Sequence, residues 1–281
     1  MDSQKKFPRV LSFEYFPPKD DDAKNKLHET TRALALLKPK FFSVTYGAGG
    51  STQAGTFETV KWIKEQNLDT APHISCVGAT RTTIVDQLTR YRALGIKRLV
   101  ALGGDLPSGM AAHGEYRYAY QLVELIRQET GDWFHIEVAA YPEVHPRSAN
   151  ADEDRKHFKL KIDSGANSAL TQYFYNPDAY VNFVDECERL GLTVPVVPGV
   201  MPITNYKQLA RFSDACGAEI PRWIRKRLEG FGDDLASIRA FGLDVTAALG
   251  EKLLAAGAPG IHFYTMNRAE PTSTLCRQLM L

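Results

Sequence analysis

Cysteine is scarce and scattered. Cys76, Cys187, Cys216 and Cys276 are the only four in 281 residues, and no two form a C-x-x-C pair. That spacing argues against a disulfide framework and against structural zinc, and no metal site is expected. Isolated thiols are expected instead, as free cysteines usually are. An excess of one charge is also missing. The chain has 34 Lys and Arg against 33 Asp and Glu, a net charge of +1. No global field recruits nucleic acid or an anionic membrane. Long apolar runs are absent. The start, MDSQKKFPRV, has no signal-peptide core, and no segment approaches the ~20 apolar residues of a membrane span. A soluble, cytoplasmic protein is expected. What remains is an ordinary globular composition, 44% hydrophobic and 24% charged. The length suits one α/β barrel domain over residues 1–281.

Short β-rich runs alternate with helical stretches. The runs are RVLSFEYF (9–16), KFFSVTY (40–46), APHISCV (71–77), KRLVALGG (97–104), FHIEVAAYP (134–142), SALTQYFY (168–175), VPVVPGV (194–200) and GIHFYTM (260–266). Between them, apolar residues recur at three- and four-residue steps, as with Ile84, Leu88 and Tyr91 or Leu122, Leu125 and Ile126. Eight such units predict a parallel sheet closed into a (β/α)8 TIM barrel, with an extra helix between strands seven and eight. The rival is an open doubly wound sheet. GAGGST (47–52) follows a strand, but Thr52 stands where G-x-G-x-x-G needs its third glycine. It reads better as a turn.

Barrel chemistry sits at the C-terminal ends of the strands, and the unusual residues fall there. Glu14 ends strand one, Thr45-Tyr46-Gly47 strand two, Gly103-Gly104-Asp105 strand four and Gln172 strand six. His73 lies within strand three. Tyr141 to His145 follow strand five, and strand eight runs into Arg268. Each has a plainer reading: His73 as a core histidine, Asp105 as a turn cap, Gln172 as a backbone partner, Arg268 as a surface partner of Glu270. Their coincidence at nearly every strand end points to a site at the barrel mouth. Asp154, His157 and Lys161 share a helix face, which by pattern reads as solvated. Near a phosphate, Lys161 would supply a point charge. Gln208 and Phe212 lie one turn apart. Phe13, Tyr15 and Phe16 flank Glu14. Strand alternation favours Phe16 as the ring beside it, and burial there would keep the carboxyl protonated. No Ser/His/Asp order, metal cluster or Schiff-base lysine is apparent. The mouth suits a large, flat, partly apolar ligand such as an isoalloxazine or pterin ring. The residues alone lead to a barrel enzyme with a general acid.

Eight ordered stretches resemble the 5,10-methylenetetrahydrofolate reductase family: SFEYFPP, KPKFFSVTYGAGG, APHISC, GGDLP, VAAYPEVHP, DSGANSALTQYFY, VPGVMPITNYKQ and HFYTMNRAE. They run from residue 12 to 270 and match the catalytic barrel of bacterial forms. The resemblance implies FAD at the C-terminal face of the barrel, NADH or NADPH as donor, and tetrahydrofolate derivatives as acceptor in one-carbon metabolism and methionine biosynthesis. It implies Glu14 as catalytic acid and Asp105 beside the flavin and folate. Flavin-contacting positions fall on Tyr46, Ala48, His73, Gly104, Tyr118, Ala119, Tyr141, His145, Asp154, His157 and Lys161. Thr45, Gln172 and Phe212 match positions for the donor, with Gln172 shared with folate. Gln208 and Arg268 match folate positions. Two departures stand out. Some family members carry Arg where this chain has Gly103, and His157 replaces an amide. Rival readings are the reverse oxidation of 5-methyltetrahydrofolate, another flavin barrel dehydrogenase, and a folate- or flavin-binding scaffold without turnover. The choice of NADH or NADPH, the direction of the reaction and the existence of a homo-oligomer stay open.

Overall fold

The computed structural model describes residues 1–46, 53–104 and 114–281. Among the described residues there are nine strands: β1 Val10–Tyr15, β2 Phe41–Val44, β3 Thr70–Ser75, β4 Arg98–Leu102, β5 His135–Ala140, β6 Ser168–Thr171, β7 Val196–Val197, β8 Gly199–Val200 and β9 Gly260–Tyr264. All pair in parallel, in the order β7-β6-β5-β4-β3-β2-β1-β9-β8. Since β7 and β8 are consecutive in the chain, the ring closes across one residue, Pro198. The expected seventh strand is therefore two short pieces. Proline has no N–H to give a ladder, so the chain changes partner there. Its carbonyl accepts from His262 N at 3.0 Å, and Gly199 N donates to Thr171 Oγ1 at 2.8 Å. A Cβ on Gly199 would lie 2.1 Å from Thr171 O, so the closure requires glycine.

Helices α1 Asp21–Ala35, α2 Gln53–Glu65, α3 Arg81–Ala93, α4 Ala119–Thr130, α5 Ala151–Asp163 and α6 Pro177–Arg189 follow the first six strands in turn. Most begin at a side-chain cap. Asp20 accepts from Ala23 N, Thr80 from Thr83 N, Asn150 from Glu153 N and Asn176 from Asp178 N. The expected extra helix is found. Three helices lie between β8 and β9: α7 Tyr206–Cys216, α8 Arg222–Phe231 and α9 Leu235–Ala256. Helix α10, Thr272–Gln278, follows β9. The four cysteines are free, and Cys76, Cys187 and Cys276 are buried. Among the described residues, no helix is long and apolar enough to cross a membrane.

Strand alternation divides the core in two. Outward residues such as Phe13, Tyr15, Phe42, Val44, Ile136 and Val138 pack under the helices in the large cluster. Inside the barrel, Phe41, Ala71, Val100, Leu170 and Val197 form a small apolar plug. Polar groups lie at both ends of the barrel interior. Toward the C-terminal ends of the strands are Glu14, Ser12, Ser43, His73 and His262. Toward the N-terminal ends are Arg98, His135, Glu137 and Ser168. Phe41 stands between the two groups. The Arg98 guanidinium carbon lies 4.7 Å from its ring centre, and the His262 ring stacks near it at 6.2 Å.

Candidate active site

Glu14 points into the barrel because Phe13 and Tyr15, its neighbours in β1, are fully buried in the outer core. Strand order then decides what it meets. β1 lies between β2 and β9, with β3 next beyond β2. From β9, His262 Nε2 comes within 3.5 Å of Glu14 Oε2. From β3, His73 Nε2 lies 3.4 Å from the same oxygen, without hydrogen-bonding geometry. From β2, Ser43 Oγ donates to it at 3.4 Å. Ser12 Oγ shares a 2.8 Å hydrogen bond with His262 Nδ1, which fixes the ring.

These neighbours correct the expectation of an aromatic frame that keeps Glu14 protonated. Phe13 and Tyr15 face the helices, and Phe16 has left the strand and is 36% exposed. Phe16 is tied through its backbone to Asn267, by bonds of 3.0 and 2.8 Å. Burial by itself pushes the Glu14 carboxyl up. The hydrogen bond from His262, with His73 close beside the same oxygen, outweighs it and holds the group at about 2. The Glu14 side chain remains 16% exposed, whereas that of His262 is fully buried. The pair thus opens toward the barrel mouth.

The other sequence-predicted residues gather around the mouth. Thr45 follows β2 and Tyr46 follows it, with its hydroxyl accepting from Gln53 Nε2 at 2.9 Å. Gly103 and Gly104 follow β4. Gly104 has φ +81°, and a Cβ there would lie 2.0 Å from Ser75 Oγ, so position 104 admits no side chain. Tyr141 and His145 pack edge to face at 4.4 Å. Tyr118, just before Ala119 opens α4, stacks on His157 of α5 at 5.2 Å. Tyr141 and Gln172 line one recess, and Gln172 N continues the ladder to Ala140 O at 2.8 Å. Gln208 and Phe212 lie on α7, with Phe212 packed against the core. Arg268 is exposed beyond β9. Glu270 is held by Ser273, Thr274 and Arg277, so it is not the partner of Arg268. Among the described residues, Gln208, Phe212 and Arg268 make no hydrogen bond or ion pair with the Glu14 cluster. Ala48 and Asp105, with the GAGGST turn, lie outside the described residues.

The solvated face expected for α5 is instead packed. Asp154 accepts from His145 N at 2.9 Å and from Ser148 Oγ at 3.1 Å. Lys161 turns inward and donates to Ala139 O at 2.6 Å. Burial pushes its ammonium down to about 8, with Asp154 acting in the opposite direction. Helical period shows which residues share a face, but not what covers that face.

Sequence reasoning passed over His262, Ser12 and Ser43. Their signal was present as period-two alternation, Ser12-x-Glu14 in β1 and His262-x-Tyr264 in β9. The mouth also holds unfilled polar capacity. Among the described residues, Thr45 Oγ1 and His73 Nε2 are buried without a hydrogen bond. Together with the Tyr118–His157 stack and the Lys161 cation, they fit a ligand with a flat polar ring and an anionic arm.

The methylenetetrahydrofolate reductase family model matches residues 2–280. The chain belongs to the methylenetetrahydrofolate reductase family. It is 39% identical to the 5,10-methylenetetrahydrofolate reductase of Salmonella typhimurium, over 96% of this chain and 90% of that protein. It is 37% identical to a probable methylenetetrahydrofolate reductase (NADH) of Oryza sativa, over 92% of this chain and 46% of that longer protein. A solved structure from Clostridium thermocellum, of a protein that binds two copies of 5-methyl-5,6,7,8-tetrahydrofolic acid, shares the fold. Its TM-score is 0.69 at 16% identity, covering 99% of this chain and 97% of that one. Family membership makes the chain an oxidoreductase and supports methylenetetrahydrofolate reduction.

Proposed function

We propose that the chain is a single catalytic barrel that reduces 5,10-methylenetetrahydrofolate to 5-methyltetrahydrofolate, with FAD at the mouth and a nicotinamide donor in ping-pong order. The observation that carries this is the Glu14–His262–Ser12 line, with His73 beside it, inside a barrel of the reductase family. FAD, when bound, supplies the hydride relay between the nicotinamide and the folate. Tyr118, His157, Tyr141, His145 and Lys161 are the residues proposed to hold it, with Ala119, Gly104, Ala48 and Asp105 alongside. Thr45, Gln172 and Phe212 are assigned to the donor, and Gln208 and Arg268 to the folate. NADH is favoured by the name of the rice relative.

Glu14 is proposed as the general acid that opens the methylene ring. The hydride acceptor is the N5-iminium form, and reaching it requires a proton on the weakly basic N10. A carboxylate held at about 2 carries no proton of its own near neutrality. In this account Glu14 rests ionised and is protonated only in transit, passing to N10 a proton that reaches it from solvent through the mouth. His262, oriented by Ser12, and His73 hold the carboxylate in place until the substrate nitrogen arrives. Asp105 is assigned with Glu14 to the catalytic step.

One titration tests the whole sequence. Purified protein supplied with FAD should show flavin absorption, lose it on adding NADH, and regain it on adding methylenetetrahydrofolate. A flavin that NADH bleaches and methylenetetrahydrofolate does not restore would contradict the assignment. Faster turnover from 5-methyltetrahydrofolate to an electron acceptor would favour the reverse direction.

A further inference from the structure

The N-terminal end of the barrel, opposite the Glu14 cluster, holds a recess of about 300 Å³. One side of it comes from two adjacent strand starts. Arg9 and Leu11 belong to the start of β1, and Leu37, Lys38 and Lys40 to the loop that leads from α1 into β2. Lys40 N donates to Leu11 O at 2.7 Å, which joins the two. Met280 and Leu281, beyond α10, close the other side. Leu281 N is tied back to Cys276 O at 3.0 Å. The lining therefore has four apolar side chains, three basic ones and no acidic one.

The fold does not use these charges. At the corresponding turn from α2 into β3, Lys64 pairs with Asp69 at 3.2 Å. The turn after α1, Leu36-Leu-Lys-Pro-Lys40, has no acid of its own. Among the described residues, the side chains of Arg9, Lys38 and Lys40 form no hydrogen bond or ion pair. Nor do the lysines cap the helix. The end of α1 is closed by backbone, with Leu37 N on Leu34 O at 3.1 Å and Lys38 N on Ala35 O at 3.0 Å. Lys38 holds φ +53°, in the left-handed region that favours glycine, so a charged side chain stands where glycine would fit better. Met280 leaves an apolar side chain 88% exposed at the rim. An apolar hollow edged by cations alone favours a ligand with an apolar body and a negative end.

We propose that this recess is a binding site for a small amphiphilic anion, an aromatic or branched aliphatic group bearing one carboxylate, sulfate or phosphate. The apolar group enters between Leu11, Leu37 and Met280, and the anionic end meets Arg9, Lys38 and Lys40. The site lies at the other end of the barrel from the residues assigned to flavin, donor and folate, so it stands or falls apart from those assignments.

The test is isothermal titration calorimetry with 4-phenylbutyrate as the probe, on protein with and without added FAD. The controls are 4-phenylbutan-1-ol, which keeps the ring and loses the charge, and sodium sulfate, which keeps the charge and loses the ring. The carboxylate should bind at least ~10-fold more tightly than either control, with the same Kd in the presence and absence of FAD. Arg9→Gln combined with Lys40→Gln should raise that Kd at least ~10-fold and leave the alcohol unchanged, with thermal melting to show that the variant folds. Lys38→Gly should also weaken the carboxylate while melting no lower than wild type, because it relieves the left-handed backbone. The proposal is overturned if the carboxylate does not bind, if the alcohol binds as tightly, or if the double variant binds like wild type. It is overturned too if added FAD displaces the probe, which would put the probe at the mouth. Sulfate binding as tightly as the carboxylate would reduce the recess to an adventitious anion patch. Sedimentation with phosphatidylglycerol vesicles that is lost in the double variant would give the patch to a lipid surface instead.

Discussion

Glu14 and Glu137 both point into the barrel, one toward its mouth and the other toward its floor. The Glu137 side chain is 3% exposed. It pairs with the Arg98 guanidinium, and Ser168 Oγ donates to it at 2.6 Å. His135 Nε2 lies 3.4 Å away and is itself 2.6 Å from Ser168 Oγ. Among the described residues, the Glu14 carboxylate has no arginine partner and no hydrogen bond or ion pair shorter than 3.4 Å, and it keeps an opening to the mouth. Burial opposes ionisation of both groups, and their partners overcome it in both. The difference lies in the partner. A guanidinium does not give up its proton in a protein, so Glu137 is locked as an anion. Glu14 faces imidazoles and a hydroxyl but no guanidinium among the described residues, and its side chain reaches the mouth. The same barrel thus makes one carboxylate a fastening and leaves the other open to the mouth, with Phe41 between them.

The comparison is open to attack by mutation. Replacing Glu14 with Gln should slow methylenetetrahydrofolate reduction by ~10²–10⁴-fold while flavin reduction by NADH stays near wild type, as read by stopped-flow absorbance. Equal slowing of both half-reactions would make Glu14 a general support of the site. Glu137→Gln should do the opposite. It leaves Arg98 without its anion and should cost about 3 kcal/mol of stability in chemical denaturation, at the low end because Arg98 is 19% exposed. Turnover per folded molecule should be unchanged. Lys161→Met removes a buried cation. It should raise the melting temperature of the ligand-free protein, by about 1–2 kcal/mol of stability, while weakening FAD. The Lys161 ammonium is depressed in the fold, so wild-type stability should rise with pH between about 8 and its ordinary 10.5. The Met variant should lack that rise. Ser12→Ala should be mildest, slowing the folate step by less than ~10-fold, since it loosens the His262 ring without removing it.

Much of the barrel was legible because β-rich runs and helical periods alternate cleanly in the chain. The break at Pro198 was also written in the sequence, in the run Val194-Pro-Val-Val-Pro-Gly-Val200, but a proline does not say which two ladders it separates. Glu14 was legible as unusual, whereas its surroundings were not. Its sequence neighbours Phe13 and Tyr15 face away from it, and His262 lies 248 residues distant. Pairing between remote strands decides such contacts. For the same reason Lys161 read as solvated, since the loop and strand that cover it come from elsewhere in the chain.

The central claim concerns where the proton rests, and isotope-edited infrared spectroscopy of the carboxyl groups, with Glu14→Gln as the reference, reads it most directly. Both carboxylates sit below their ordinary value of 4.5 in the fold, so the stability they contribute is present above that pH and is lost as pH falls, toward about 2 for Glu14. In the ligand-free protein, the Glu14 band should be that of an ionised carboxylate from pH 8 down to about 4 and convert to the acid only below that. A protonated Glu14 band at pH 7, absent in Glu14→Gln, would contradict the account and return the proton to the carboxyl itself.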